Sequence, residues 1–464
     1  MPSAARTAPA ARRRKSAAER AASRVRAESP VDQRILLTAT LCLLAFGMVM
    51  VYSASSASGV LEGGSGSGYL IKFAVYGAVG LVVMRFLSKD GVARLQGVVG
   101  PLLVISFVLV LAVHVPGLGV AVNGAKRWLG RGPLVFQPSE LLKLALILYV
   151  ATVIARRPQR VRELKTMVRP LLLVVGAAVL LVAIQPDIGT AMVIAFTFAA
   201  MLLAAGMPLR NLAIVAGVAL GLVVLFALVE PYARERLTSF IDPWAHAQGS
   251  GFQAVQGQIA VGSGGLFGVG PGQSVQKIFY LPEAPTDFIL AVIGEELGVV
   301  GVCALLSLYG LIAYAGLRAA KTARSLHSAL IAVGVTCMIV SEAMLNVFSV
   351  LGLAPLTGVP LPFVSYGASD LVVMLAAMGI LMNVAAGGSA HVRAVGGRSG
   401  SGGGAGEAPV ATAAARSAAR AGSGTDTRAR KQARFWDERG AGDEDRDRGG
   451  RDGGSRRAGA RGRR

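Results

Sequence analysis

Three carboxylates lie on one long apolar segment that follows a proline-marked loop. Residues 276–298 read QKIFYLPEAPTDFILAVIGEELG, with Asp287 at the start of the apolar run and Glu295 and Glu296 inside it. An ionised carboxylate at the centre of a bilayer costs about 2.5–3.5 kcal/mol, so each one needs a role. At the first turn of a span, Asp287 can act as a general base or simply cap the helix. Glu295 and Glu296 lie roughly 12 Å further along, where hydrogen bonds within the bundle are expected.

Basic residues in the predicted outer loops suggest an anionic substrate. Lys126 and Arg127, in NGAKRW, lie on the outer side against the tendency of basic residues to stay inside. A phosphate or pyrophosphate partner is therefore predicted. The alternative is that both side chains reach lipid head groups beside a tryptophan at the membrane interface. Arg236 and Lys277, from the long loop 231–286, are further candidates for binding a phosphate.

Polar residues at the ends of other apolar segments complete the candidate site. Glu140 and Lys143, in FQPSELLK, are one helical turn apart and can pair, either to line the site or only to neutralise each other. Asp187, in QPDIGT, is predicted to cap a helix. Ser365 and Tyr366, in PLTGVPLPFVSYG, offer hydroxyl groups to a polar substrate, and packing alone is an equal explanation for them.

A bundle of membrane-spanning helices is needed to position these residues. Of the 464 residues, 53% are hydrophobic and the mean hydropathy is +0.57, which indicates an all-α integral membrane protein. Ten apolar segments of about 20 residues are predicted to cross the membrane. They cover about 35–55, 69–88, 96–115, 139–155, 170–185, 188–206, 211–230, 287–317, 328–350 and 369–387.

The basic residues predict the orientation and argue against a nucleic-acid partner. The net charge is +21, but much of the lysine and arginine lies in the two tails. Residues 1–34 and 388–464 are therefore predicted to be disordered, cytoplasmic and close to anionic membrane lipids, and no nucleic-acid binding is expected. With both termini inside, the polar segments 123–143, 231–287 and 351–370 meet at the outer face, and the large outer loop lies between spans 7 and 8.

These motifs, in this order, resemble those of the SEDS (shape, elongation, division and sporulation) family. The matching pieces are NGAKRW, FQPSELLK, QPDIGT, the glycine-rich loop, LPEAPTDFI with EELG, and PLTGVPLPFVSYG, within about residues 35–387. The resemblance implies a ten-span fold in which Asp287 is the essential catalytic residue and Glu140 and Lys143 form a pair. It is nearer to the division branch, FtsW, than to the elongation branch, RodA. Two departures are Pro285, where the family usually has histidine, and Asp370, which adds an acid where the family usually has SYGGSS.

The resemblance also implies a function. It predicts a peptidoglycan glycosyltransferase that polymerises lipid II at the outer leaflet during septal synthesis and releases undecaprenyl pyrophosphate. The expected partners are membrane lipids, a class B penicillin-binding transpeptidase (FtsI-like) and other divisome proteins, with Mg or Mn as a possible cofactor. A RodA-like elongation polymerase and a lipid II flippase are the alternatives, and a scaffold acting through the tails is compatible with either. Buried acids such as Glu342 favour the flippase, whereas the outer-face clustering of polar residues favours the enzyme.

Overall fold

The protein was analysed as a computed structural model, and its fold is a bundle of α-helices. The structure describes residues 31–387, with gaps at 57–66, 123–124, 132–133, 164–170, 230, 279–280 and 282–283. The two predicted disordered tails therefore lie almost entirely outside the described residues. The first helix begins at Val31, four residues before the predicted start of the first span.

Ten helices coincide with the ten predicted spans, within a few residues at most ends. Their bounds are α1 Val31–Ser56, α2 Gly68–Leu95, α3 Val99–Ala112, α4 Pro138–Arg156, α5 Leu173–Ile184, α6 Ile188–Ala204, α7 Leu209–Val229, α10 Ile289–Thr322, α11 Leu326–Val350 and α12 Ala368–Ala385. Six of them are long and apolar enough to cross a membrane by themselves, and the other four have shorter apolar stretches. The predicted all-α membrane fold is confirmed.

Two parts of the outer segments have structure that the sequence reading described only as loops. Strands β1 Gly119–Val122, β2 Ala125–Arg131 and β3 Leu134–Phe136 form a small antiparallel sheet in the order β1-β2-β3. Helices α8 Pro231–Ile241 and α9 Phe252–Ser263 lie within the long loop before α10. The sheet ends directly before α4 and so positions the first turn of that helix.

Helix α11 is central, because it packs against α4, α6, α10 and α12. Most of its residues and most of those on α4 and α12 are buried within the bundle. By contrast, α2 leaves large apolar side chains exposed, among them Val82 and Phe86 at 70% and 57%. An exposed apolar surface of this kind is what a bilayer covers. The polar groups of the candidate site therefore come mostly from helices that face one another inside the bundle.

Helix α10 is kinked at Gly298, whose φ of 66° lies in the left-handed region. The glycine-rich run that follows α9 packs into the kink, where Val299 N donates to Gly265 O at 3.0 Å and Val300 N donates to Leu266 O at 3.2 Å. A Cβ atom on Gly298 would lie 2.5 Å from Leu266 O. Glycine is therefore required here both by the backbone conformation and by the close approach of the loop.

Candidate active site

Asp287 lies two residues before the first residue of α10, not in its first turn as the sequence suggested. Its side chain is half-buried, and the buried ring of Phe288 follows it. The carbonyl oxygen of Asp287 accepts a hydrogen bond of 2.7 Å from Asn346 Nδ2 on α11. A second hydrogen bond holds this segment from the other side: Tyr366 N donates to Pro285 O at 2.9 Å. The carboxylate is thus presented from a short, fixed turn at the mouth of α10.

Gly358 brings Asp287 close to Arg127. A Cβ atom on Gly358 would lie 3.3 Å from Asp287 Oδ2 and 3.9 Å from Arg127 Nη1, so both charged groups border the same small volume. The φ of Gly358 is 66°, a conformation that side chains other than glycine rarely adopt. A predicted base and a predicted phosphate-binding cation therefore meet at a turn that has no side chain of its own.

Arg127, on β2, is bound to the turn between α5 and α6. Its guanidinium group donates to Gln185 O at 3.2 Å and to Pro186 O, and it lies 3.8 Å from Asp187 Oδ1. The planar fork of arginine suits such contacts with several oxygens at once. Its neighbour Lys126 is exposed, so the two predicted cations have different surroundings: Arg127 is held in place and Lys126 faces outward.

Asp187 caps α6, as predicted, by accepting a hydrogen bond of 3.3 Å from Thr190 N. It also accepts one of 3.0 Å from Gln137 Nε2, which precedes α4. Gln137 N in turn donates to Ser369 Oγ at the start of α12. The starts of three spanning helices are thereby joined by hydrogen bonds. These contacts show that the predicted outer segments 123–143 and 351–370 lie together.

The segment between α11 and α12 supplies the other wall of the site. Arg236, from α8, donates to Leu356 O at 2.7 Å. Ser365 is buried and accepts from Leu361 N at 2.8 Å, so its hydroxyl group helps to hold this segment. Tyr366 packs edge-on against Tyr69 with ring centroids 5.0 Å apart, and burial beside neighbouring tyrosines raises the pKa of Tyr366 to about 12. Its hydroxyl group therefore stays protonated at neutral pH.

One helical turn into the bundle, Lys143 is surrounded by acids. Its ammonium group lies 2.7 Å from Glu140 Oε2 and also contacts Glu342 on α11. Asp370, the acid that departs from the usual SEDS pattern, lies with Glu140 and Glu342 so that one carboxylate oxygen from each falls within 4.8 Å of the others. The predicted Glu140–Lys143 pair is present, and it belongs to a larger buried cluster of four charged residues.

Lys277 lies in a second buried cluster. Its ammonium group contacts Glu296 Oε1 at 2.8 Å, Gly272 O at 2.8 Å and Ser53 Oγ at 3.1 Å. These three acceptors account for the three hydrogens of the ammonium group. Glu295 accepts from Ser274 Oγ and from Val275 N. Both glutamates thus hydrogen-bond within the bundle, as expected, and the geometry gives no support to phosphate binding by Lys277, which stays a prediction.

Comparison with known proteins decides the family. A model of the FtsW/RodA/SpoVE family, described as cell cycle protein, matches residues 33–389. This chain belongs to that family. The stage V sporulation protein E of Bacillus subtilis is 38% identical over 350 residues, 75% of this chain and 96% of its own. A protein of Coxiella burnetii named probable peptidoglycan glycosyltransferase FtsW is 39% identical over 355 residues, 75% of this chain and 95% of its own.

A solved structure that is similar to this chain supports the fold. It comes from a study of the structural coordination of polymerisation and crosslinking by a peptidoglycan synthase complex. Its chain matches this one with a TM-score of 0.63 and 31% sequence identity, and the match covers 75% of this chain and 96% of that one. The SEDS resemblance is thereby confirmed. The chain is a multi-pass membrane protein of the FtsW/RodA/SpoVE family, and the relatives most similar to it include several named FtsW.

Sequence reasoning missed Asn346, which joins Asp287 to the opposite wall of the site. A signal was available in the apolar span that became α11. Glu342, Asn346 and Ser349 are spaced so that they share one helix face. In the structure each polar side chain on that face has a partner: Lys143 for Glu342, Asp287 for Asn346 and Pro355 O for Ser349. In this protein, the polar stripe on an apolar span therefore marks the helix that faces the site.

Proposed function

We propose that this protein is a peptidoglycan glycosyltransferase that polymerises lipid II at the outer leaflet of the bacterial membrane. Family membership supports the reaction class, because similar relatives carry that activity in their names. The single observation that carries the site assignment is the meeting of the Asp287 carboxylate and the Arg127 guanidinium group at Gly358. A base beside a cation is what transfer of a sugar from a pyrophosphate requires.

In the proposed reaction, Asp287 accepts the proton of the acceptor sugar 4-hydroxyl group. The oxygen forms a bond to the anomeric carbon of the donor as the bond from that carbon to the pyrophosphate breaks, and the configuration inverts. Undecaprenyl pyrophosphate leaves with the bonding electrons. Arg127 is placed to stabilise the negative charge that develops on the leaving group, and Lys126 and Arg236 are the other cations proposed to assist.

A divalent cation, Mg or Mn, remains a proposal without an assigned site. Among the described residues, Glu140, Glu342 and Asp370 have oxygens close enough together to share a cation. However, the Lys143 ammonium group already contacts two of these acids inside the bundle. Buried acids that hold a lysine do not suit an ion that must meet a pyrophosphate, so no step is derived through a metal. Polymerisation measured with and without a chelator tests the requirement.

The proposed partners follow from the relatives. A structural neighbour comes from a complex that coordinates polymerisation with crosslinking, which supports a class B penicillin-binding transpeptidase as the partner. The relatives named FtsW support the division branch, and therefore a location at the septum and other divisome proteins as partners.

The flippase alternative drew support from buried acids. Glu296 and Glu342 are each buried in an ion pair with a lysine, which disfavours a role in binding a transported group.

Purified protein, with and without the transpeptidase, provides the test. Asp287→Asn keeps the size of the side chain but cannot accept the proton, so glycan chains should form from lipid II about 10³-fold more slowly. Asp242→Asn is a matched control, since Asp242 is an exposed carboxylate in the same outer segment whose Oδ1 accepts from Ala245 N. Wild-type rates for the Asp287→Asn protein would disprove the base assignment. Lipid II movement across liposomes without any polymerisation would favour the flippase.

A further inference from the structure

Asn346 makes two hydrogen bonds at the centre of the candidate site. Its amide nitrogen donates to Asp287 O at 2.7 Å and to Val359 O at 2.8 Å. A primary amide has two hydrogens, and these two carbonyl oxygens account for both. The side chain is buried on α11, the helix at the centre of the bundle. One amide group therefore links three separate segments of the chain.

The two carbonyl groups that Asn346 holds belong to the two walls of the site. Asp287 is the proposed base and lies outside the regular part of α10, so the hydrogen bonds of the helix do not by themselves determine its position. Val359 follows Gly358, the turn that borders both the Asp287 carboxylate and Arg127. A change at Asn346 would alter the separation between the carboxylate and this turn.

The surroundings of Asn346 indicate that its amide group has a specific role. Its Oδ1 atom is buried and accepts no hydrogen bond from the residues that the structure describes. A buried acceptor without a donor is unfavourable. The amide is present despite this cost, and both of its hydrogens are directed at main-chain atoms of the site. Ser341, also on α11, has a hydroxyl group that donates to Met338 O of the same helix at 3.1 Å.

We propose that Asn346 is a positioning residue for the general base: by bridging Asp287 and Val359, it sets the Asp287 carboxylate at the Gly358 turn. This inference rests on the proposed function, because it assigns to Asn346 a role that acts through Asp287. A displacement of about 1 Å in a catalytic group can lower a rate by about 100-fold. Loss of the bridge should therefore affect turnover more than substrate binding.

The test compares Asn346→Leu and Asn346→Asp with the matched control Ser341→Ala, which removes a hydrogen bond within α11. Leucine removes both donors, and aspartate keeps the shape but has at most one hydrogen to donate, so it cannot hold both carbonyl groups. For both variants, kcat for lipid II polymerisation should fall about 10- to 100-fold while KM stays within about threefold. Ser341→Ala should stay within about threefold of wild type in both constants. If one Asn346 variant fails to fold in detergent, the other carries the comparison.

A second measurement separates positioning from a general structural role. In the Asp287→Asn background, the Asn346 change should leave the Kd for lipid II within about threefold and cause no further loss of activity. A kcat unchanged in both Asn346 variants, or a loss of lipid II binding that matches the loss of rate, would overturn the inference. If Asp287→Asn alone keeps the wild-type rate, the proposed base assignment fails first, and that outcome is distinct from a failure of Asn346.

Discussion

The carboxylate before α10 and the two carboxylates inside it have different surroundings. Asp287 is half-buried at a turn shared with a guanidinium group. Eight and nine residues later, Glu295 and Glu296 are buried, and each accepts hydrogen bonds from a short segment of the preceding loop or from α1. The Asp287 carboxylate is partly accessible to a substrate, whereas the carboxylates of Glu295 and Glu296 are enclosed by hydrogen-bond donors.

This difference teaches how to separate chemistry from architecture among acids on one apolar helix. A carboxylate surrounded by donors can stabilise a loop, but it has little capacity left to take a proton from a substrate. A carboxylate at an accessible turn beside a cation retains that capacity. The four changes below are expected to act mainly on activity or mainly on stability, according to the region that they alter.

The largest effect is expected from Asp287→Asn. The rate of lipid II polymerisation should fall about 10³-fold, since general base catalysis contributes roughly 10²–10⁴-fold. The thermal midpoint in detergent should change little, because the amide keeps the size of the side chain. The Glu295→Gln variant, measured in parallel, should show the opposite result: its thermal midpoint should fall, and its activity per folded molecule should be retained. An equal loss of activity in Asp287→Asn and Glu295→Gln would contradict the distinction between the carboxylate before α10 and those inside it.

The second effect is a loss of stability in Lys277→Met. Removing one partner of a buried ion pair leaves Glu296 unpaired and is expected to cost about 3–5 kcal/mol in the free energy of unfolding. Denaturation in detergent, followed by helix content, measures this. The double change Lys277→Met with Glu296→Leu should recover most of the loss, because no buried charge remains. An active, folded Lys277→Met protein with weakened lipid II binding would instead restore Lys277 as a substrate ligand.

A smaller effect on rate is expected from Gly358→Ala. The added Cβ atom would lie 3.3 Å from Asp287 Oδ2, and the positive φ adds strain of about 1–2 kcal/mol. We expect kcat to fall roughly 10-fold. Gly206→Ala is the matched control, since Gly206 has a φ of 84° and open space around its Cβ position. A similar loss of rate in both proteins would show that backbone strain alone, and not contact with Asp287, is responsible.

A smaller effect on stability is expected from Ser274→Ala. The change removes one hydrogen bond to the Glu295 carboxylate, which retains the bond from Val275 N at 3.0 Å. The free energy of unfolding should fall by about 1.5–3 kcal/mol, the range for a bond to a charged group. The polymerisation rate of the folded protein should not change. A clear loss of rate would mean that this loop contributes to the site after all.

The spans could be predicted because each needs about 20 apolar residues, and the structure places a helix at every one of the ten. The convergence of the outer loops followed from orientation alone. The small sheet β1-β2-β3 was missed, because its strands have only four, seven and three residues. Such strands depend on pairing rather than on an alternating pattern.

Pairings between distant residues were the part that sequence could not predict. The Lys277 side chain is directed towards Glu296 rather than a substrate because the glycine-rich loop folds back against α10, and no local pattern encodes that path. Asn346 was missed for a related reason: a single amide in an apolar span has many possible partners, and its role appears only when Asp287 and Val359 lie beside it. The Glu140–Lys143 pair was predictable because both residues are on one helix turn.

The kink at Gly298 has a consequence for how this protein enters the membrane. The apolar part of α10 after the kink, residues 299–317, has 19 residues and a length of about 28 Å, close to the hydrocarbon thickness of about 30 Å. That part alone therefore suffices as the segment that the insertion machinery must recognise. Glu295 and Glu296 lie ahead of it, so the nascent chain can partition this span into lipid without transferring either acid into hydrocarbon.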